Sequence, residues 1–327
     1  MNQKKQKISL VGVGRVGSTL ALTILMKGLA QELVLVGENN HRAQGEAYDL
    51  IHASSFAHPI EIYAGPIEAT SHSDIIVVSA SVPMTNMKNR LDLGVGNAAL
   101  FRNLIPQLSQ LSPEAIFIII TNPVDIMTYY TIRLSNFPPS RVMGTGTLID
   151  SGRFRSLLGL YSGIHSEDIH AYILGEHGDS EFPVLSLADF GGMGMEHSLP
   201  VCRKTCPLKN LTEVFEEAKD GGMLVYRHKG YTNHAIALAT STLIEAIFND
   251  SGRILPVSTL IEGYLGVTDV CLSMPVVLGR EGILKIIELN MNEKEQAAFR
   301  SSAAVLKKAT QEMGIEKNMS EQRKPTE

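Results

Sequence analysis

Gly12-Val13-Gly14-Arg15-Val16-Gly17 restricts the fold of this chain more than any other stretch. Residues 7–13 form an apolar run that reads as a buried strand, and a helical period continues to about Leu29. Gly12, Gly14 and Gly17 at this spacing permit a tight turn, let backbone amides approach a pyrophosphate and let the helix pack on a sheet. The helix N-terminus then points its unsatisfied N–H groups at the phosphates. A second strand at 32–36 follows at the right distance, which makes the segment a dinucleotide-binding βαβ unit.

Short apolar runs at 60–63, 75–80 and 115–121 alternate with helix-compatible segments. That alternation predicts an α/β fold with a doubly wound parallel sheet of the Rossmann type, its ligand lying beyond the carboxyl ends of the strands. Ser79 to Val82 and Thr121-Asn122-Pro123-Val124-Asp125 are two such ends. Residues 81–92 are polar and read as a mobile surface loop, and helical periodicity resumes over 94–111. Composition shifts after Gly144-Thr145-Gly146, dividing the chain into a dinucleotide-binding domain at 1–145 and an α+β substrate and catalytic domain at 146–327. In the second part, helices are expected from about Leu148, over 211–229 and over 231–249. Strands are expected at 254–260 and 270–277, and an amphipathic helix at 293–313.

At the end of the second strand an acid normally grips the adenosine ribose diol. Here stands Gly37, followed by Glu38, with His41 and Arg42 close enough to meet a ribose phosphate. NAD is the expected cofactor, with NADP left open by Gly37.

The remaining composition narrows the class. A net charge of −5 gives no reason to expect nucleic acid or an anionic membrane as partner. The three cysteines, Cys202, Cys206 and Cys271, are an odd number that suits a reducing cytoplasm. Cys202 and Cys206 with His197 match no usual metal-ligand spacing, so no metal is expected. Lys4, Lys5 and Lys7 before an apolar stretch resemble a secretory leader, but Arg15 interrupts the run and no cleavage pattern follows. No stretch offers enough uncharged apolar residues to cross a membrane.

His177 sits directly after the apolar Ile173-Leu174, between Gly175 and Gly178 and beside acids. An imidazole exchanges its proton near neutral pH, so this is a seat for a general acid/base. Asp150 and Arg153, three apart on a predicted helix, occupy neighbouring positions of one face.

Taken in order, several motifs make the chain resemble the L-lactate/malate dehydrogenase family nearly end to end. They are the glycine turn, Gly45-Glu46-Ala47, Arg90-Leu91-Asp92-Leu93, Asn122-Pro123-Val124-Asp125, Asp150-Ser151-Gly152-Arg153-Phe154-Arg155, the His177 segment and Lys229-Gly230-Tyr231-Thr232. Leu255-Pro256-Val257-Ser258 and the stretch from Asp269 to Pro275 are closer to the lactate branch. The resemblance implies hydride transfer between a nicotinamide cofactor and a small L-2-hydroxy acid or 2-oxo acid. It implies that His177 exchanges the proton and Asp150 orients it. Arg153 would clamp the substrate carboxylate, and Arg90, carried on the loop, would polarise the carbonyl. Asn122 and Thr232 would complete the pocket, and Val16 the cofactor cradle. It further implies a homo-oligomer, dimer or tetramer. Arg155 and His170 match a pair that in bacterial relatives binds fructose 1,6-bisphosphate.

The chain departs from the family at Met84, where the lactate branch carries glutamine and the malate branch arginine, and at Met87, where a loop glycine is expected. A thioether leaves a second substrate carboxylate uncompensated, which disfavours malate dehydrogenase and favours a longer apolar 2-oxo acid. A catalytically idle cofactor-binding protein is the alternative from another class. Arg90, Asp150, Arg153, His177 and Thr232, all present, weigh against it.

Overall fold

In the computed structural model, residues 6–83, 90–195 and 210–314 are described. Six parallel strands form its centre: β1 (Lys7–Val11), β2 (Glu32–Val36), β3 (Glu61–Ala64), β4 (Ile75–Val78), β5 (Ile116–Ile119) and β6 (Val142–Gly144). They stand in the order β6-β5-β4-β1-β2-β3, so chain progression reverses between β1 and β4, and a crevice opens beyond their carboxyl ends. Helices α1 (Arg15–Lys27), α2 (Asn40–Ala53), α3 (Arg90–Leu111) and α4 (Val124–Ser135) connect them.

These strands read as continuous apolar runs because both faces are covered. Along β4 and β5, Ile75, Val77, Ile116 and Ile118 point to one apolar layer, and Ile76, Val78, Phe117 and Ile119 to the other. Helices α1 and α2 pack on the first face, α3 and α4 on the second. Each fully buried aliphatic side chain contributes about 1.5–3 kcal/mol, so this alternation ties strand register to the core.

The second half supplies α5 (Leu148–Ser162), β7 (Ile169–His170), β8 (Ile173–Leu174), β9 (Phe182–Pro183), β10 (Asp189–Phe190) and β11 (Met193–Gly194). After them come α6 (Leu211–Lys229), α7 (His234–Phe248), β12 (Arg253–Glu262), β13 (Thr268–Gly279), β14 (Gly282–Ile286) and α8 (Glu293–Glu312). Strands β12 to β14 pair antiparallel and extend the first sheet, because Ser258 of β12 bridges Gly144 of β6. The composition shift near residue 145 thus falls within one nine-stranded sheet. A smaller core joins α5 to α6, with Phe154 and Phe215 edge to face at 6.4 Å.

Three sequence expectations need correction. Helix α3 begins at Arg90, inside the stretch read as loop, and Asp92 in its first turn complements the helix dipole. Helix α7 begins at His234, leaving Tyr231, Thr232 and Asn233 as a connecting segment. Strand β14 was not anticipated, since Leu284 and Lys285 face outward and interrupt its apolar pattern. Among the described residues no helix is long and apolar enough to cross a membrane. His197, Cys202 and Cys206 lie outside the described residues.

Candidate active site

The glycine turn is built by close backbone contacts. Gly12 leaves β1 at φ +103°, and a Cβ there would lie 2.3 Å from the Ala80 amide nitrogen. A Cβ on Gly17 would lie 2.0 Å from the Gly12 carbonyl oxygen. Gly14 is different: among the described residues no atom outside its own neighbours and helix backbone lies within 4 Å of its Cβ position, and the residue is exposed. Gly14 caps α1 without a side chain to satisfy its first N–H groups, and the first turn carries no acid. This is a seat for a phosphate anion, and the turn fits a dinucleotide.

Beyond β2, Gly37 is half-buried, while Glu38 and Arg42 are exposed. Asn39 caps α2, its Oδ1 accepting from the Arg42 amide at 3.0 Å, so the Glu38 carboxylate is not used as the cap.

Val16, Asn122, Arg153, His177 and Thr232 come from five separate segments and line one cleft of about 280 Å³. Thr232 reaches it on the segment between α6 and α7. There Tyr231 lies between Arg15 (4.1 Å to the ring centroid) and Lys229 (4.7 Å). The next residue, Asn233, donates from Nδ2 to Thr19 at 2.8 Å. Asn122 follows β5, and its carbonyl accepts from Asn97 Nδ2 at 2.7 Å. Arg90 is the first residue of α3, but its side chain is not described; Met84 and Met87 lie outside the described residues.

The His177 segment is fixed at successive residues. Gly175, at φ +91°, exchanges backbone hydrogen bonds with Ser273 of β13. The Glu176 amide donates to Ser302 Oγ at 2.8 Å, and the His177 amide donates to Asp125 Oδ2 at 2.8 Å. The imidazole then meets Asp150, with Nδ1 2.5 Å from Oδ2. Asp150 is 2% exposed, and its other oxygen accepts from Arg153 at 2.5 Å. The i,i+3 spacing on α5 therefore delivers a part-buried ion pair rather than a fully exposed one.

Electrostatics follow from this packing. Burial opposes charge on His177, but the Asp150 carboxylate outweighs it, and Asp125 and Glu181 add to it, raising the imidazole from 6.5 to about 9. Burial also opposes charge on Asp150, yet His177 and then Arg153 hold its carboxyl below the ordinary range. Burial pushes the Asp125 carboxyl up to about 6 despite lowering by Ser258 and His177. With Nδ1 engaged by Asp150, Nε2 is the ring nitrogen left to exchange a proton.

Four features of the site escaped sequence reading. Asp125 stands in the sequence only as part of a motif, yet it anchors the His177 backbone; its Oδ1 has no hydrogen-bond partner among the described residues. Glu181 is 7% exposed, and ligand atoms of Asp150, His177 and Glu181 lie within 4.8 Å of one another. Gly221 and Gly222 lie inside α6, where a Cβ would approach Arg153 to 3.3 and 3.2 Å. A glycine pair inside a helix, unfavourable in propensity, was the available signal. Asn97, fully buried on α3, accepts from the Val82 amide and so ties that segment to Asn122.

Arg155 on α5 is half-buried; burial lowers its pKa, Tyr172 opposes that, and Arg253 adds to it. His170 on β7 is exposed, with Nδ1 3.1 Å from Asp189 Oδ1.

Residues 6–144 match the lactate/malate dehydrogenase NAD binding domain, and residues 147–316 the lactate/malate dehydrogenase alpha/beta C-terminal domain. The chain is 41% identical over 309 residues to an L-lactate dehydrogenase of Thermoanaerobacter sp. (strain X514), covering 94% of this chain and 99% of that protein. It is 38% identical over 317 residues to an L-lactate dehydrogenase of Acetivibrio thermocellus, covering 96% and 100%. Among solved structures, a lactate dehydrogenase enzyme from a Medee basin deep-sea metagenome library superposes with TM-score 0.91 at 32% identity, covering 95% of this chain and 100% of that one. The minor L-lactate dehydrogenase of Enterococcus mundtii gives 0.89 at 32% identity, covering 94% and 98%.

Proposed function

Since the chain belongs to the lactate/malate dehydrogenase family, we propose that it interconverts an L-2-hydroxy acid and its 2-oxo acid with a nicotinamide cofactor, as an L-lactate dehydrogenase. One observation carries this reading: His177, hydrogen-bonded to buried Asp150, and Arg153 line the same cleft as Val16 of the glycine turn.

The chemistry divides among these groups. The nicotinamide, when bound, supplies or accepts the hydride. Protonated His177 gives its Nε2 proton to the carbonyl oxygen as the C–H bond forms, and takes it back from the hydroxyl in reverse. Asp150 keeps the Nδ1 proton in place throughout and stabilises the imidazolium. Arg153 holds the substrate carboxylate with a planar pair of N–H donors, which fixes the reacting carbon's orientation. Arg90 polarises the carbonyl, while Asn122 and Thr232 close the pocket. Gly12, Gly14, Val16 and Gly17 cradle the cofactor, and Gly37 and Glu38 with Arg42 border its adenosine ribose. NAD is the proposed cofactor, residues 1–145 the half that holds it and 146–327 the half that holds the acid.

Met84 is proposed to favour an apolar 2-oxo acid longer than pyruvate, and Met84→Arg to raise oxaloacetate turnover relative to pyruvate. The enzyme is proposed to be a homo-oligomer in which Arg155 and His170 form a fructose 1,6-bisphosphate site. An unchanged saturation curve and thermal midpoint with that sugar bisphosphate would remove the effector. The test of the main reading is oxidation of NADH and NADPH against pyruvate, oxaloacetate, 2-oxobutyrate, 2-oxoisocaproate and phenylpyruvate. Turnover with monocarboxylic 2-oxo acids supports it; cofactor binding without turnover of any of them refutes it.

A further inference from the structure

Glu181 is a buried carboxyl that the proposed chemistry does not use. It lies four residues after His177, just before β9, and is 7% exposed. Its carboxyl, an oxygen of Asp150 and a ring nitrogen of His177 lie within 4.8 Å of one another. It does not line the substrate cleft. A second acid this close to Asp150 is costly to ionise, and an amide of the same shape would fill the space without that cost.

We propose that Glu181 is a positioning residue for charge: packed within 4.8 Å of Asp150 and His177, its carboxylate keeps the imidazole protonated to higher pH. This rests on the proposed proton exchange at His177.

The groups facing Glu181 couple its ionisation to that of His177. Burial and the Asp150 carboxylate on α5 raise the Glu181 carboxyl from 4.5 to about 8, opposed by His177, by Lys219 on α6 and by Arg153 on α5. His177 itself, which also feels Asp125 from α4, stands at about 9. Ionisation of the carboxyl places a second anion beside the ring. The anion formed attracts the imidazolium, so the pair loses protons in two linked steps rather than independently. Lys219, whose Nζ donates to the Asp179 carbonyl at 2.8 Å, is held where it can share the charge of ionised Glu181.

Glu181→Gln removes the ionisation and keeps the shape. We expect the alkaline limb of kcat/KM for 2-oxo acid reduction to move down by about one pH unit, a tenfold loss at alkaline relative to mildly acidic pH. Glu181→Asp should restore part of the lost range. A uniform loss across pH in Glu181→Gln, with the limb unmoved, means that Glu181 only packs, and overturns the proposal. Failure of wild type to reduce any 2-oxo acid would sink the activity instead. A second readout needs neither turnover nor a variant that folds: the His177 ring carbon signal, followed by NMR in the wild-type protein. It should move in two steps, a small one as Glu181 ionises and a large one as the imidazole does. A single step overturns the proposal.

Discussion

Replacing Asp150 by asparagine removes the anion that sets the state of His177 while keeping the shape of the side chain. Asp150 is 2% exposed, and its two oxygens lie 2.5 Å from His177 Nδ1 and 2.5 Å from Arg153 Nη1. Moving an imidazole from 6.5 to about 9 corresponds to roughly 3 kcal/mol in favour of its charged form. That gain is reached against the burial of the ring, and Asp150 is its largest source. With that charge removed, only Asp125 and Glu181 oppose burial, and the imidazole loses its proton at lower pH. We expect kcat/KM for 2-oxo acid reduction near pH 8 to fall by roughly 10²-fold, with the alkaline limb of the profile displaced toward acid. The assay is the initial rate of NADH oxidation across pH, with the cofactor saturating. Stability supplies an independent check with a fixed sign. A group whose pKa rises on folding adds stability fully below its unfolded value, and that stability is lost as pH climbs through the folded one. In wild type the His177 contribution should therefore decline between about pH 6.5 and 9, and Asp150→Asn should flatten that decline. An alkaline limb left at its wild-type position, or a loss confined to KM, would refute the reasoning.

Arg153→Lys should raise KM for the 2-oxo acid by about 10²-fold, because an ammonium offers neither the paired donors nor the span of a guanidinium. Equal KM values in the two proteins would place the substrate carboxylate elsewhere. Gly17→Ala sets a methyl 2.0 Å from the Gly12 carbonyl oxygen. It should lower thermal stability by about 1–3 kcal/mol and weaken NADH binding, read by melting and by fluorescence titration. Asp125→Ala leaves the part-buried His177 amide without its acceptor, a cost of about 1–3 kcal/mol by urea unfolding; an unchanged unfolding midpoint would show that the contact does not hold the segment.

The parallel sheet was legible because each central strand is an apolar run bounded by glycine or polar residues, and the burial of both faces leaves few other ways to place Ile75 to Val78 or Ile116 to Ile119. The proximity of Asp150 and Arg153 was legible from helical spacing alone. What escaped was non-local or stood at element ends. No local pattern says that Asp125 reaches His177 across 52 residues, or that Glu181 lies close to the same ring. The start of α3 was missed because polar residues up to Arg90 look like loop, although Asp92 is well placed for a first helical turn. Strand β14 escaped because its outward residues match neither a buried run nor a strict alternation. The glycine pair in α6 carried a signal, but its meaning depends on a guanidinium from another helix.

The central claim is that one imidazole, held by a buried carboxylate, exchanges the proton that accompanies hydride transfer. The most direct measurement is kcat for His177→Asn with pyruvate and NADH, taken alongside NADH affinity. The account predicts a loss of roughly 10²–10⁴-fold in turnover with cofactor binding retained. Turnover within a few-fold of wild type would contradict it.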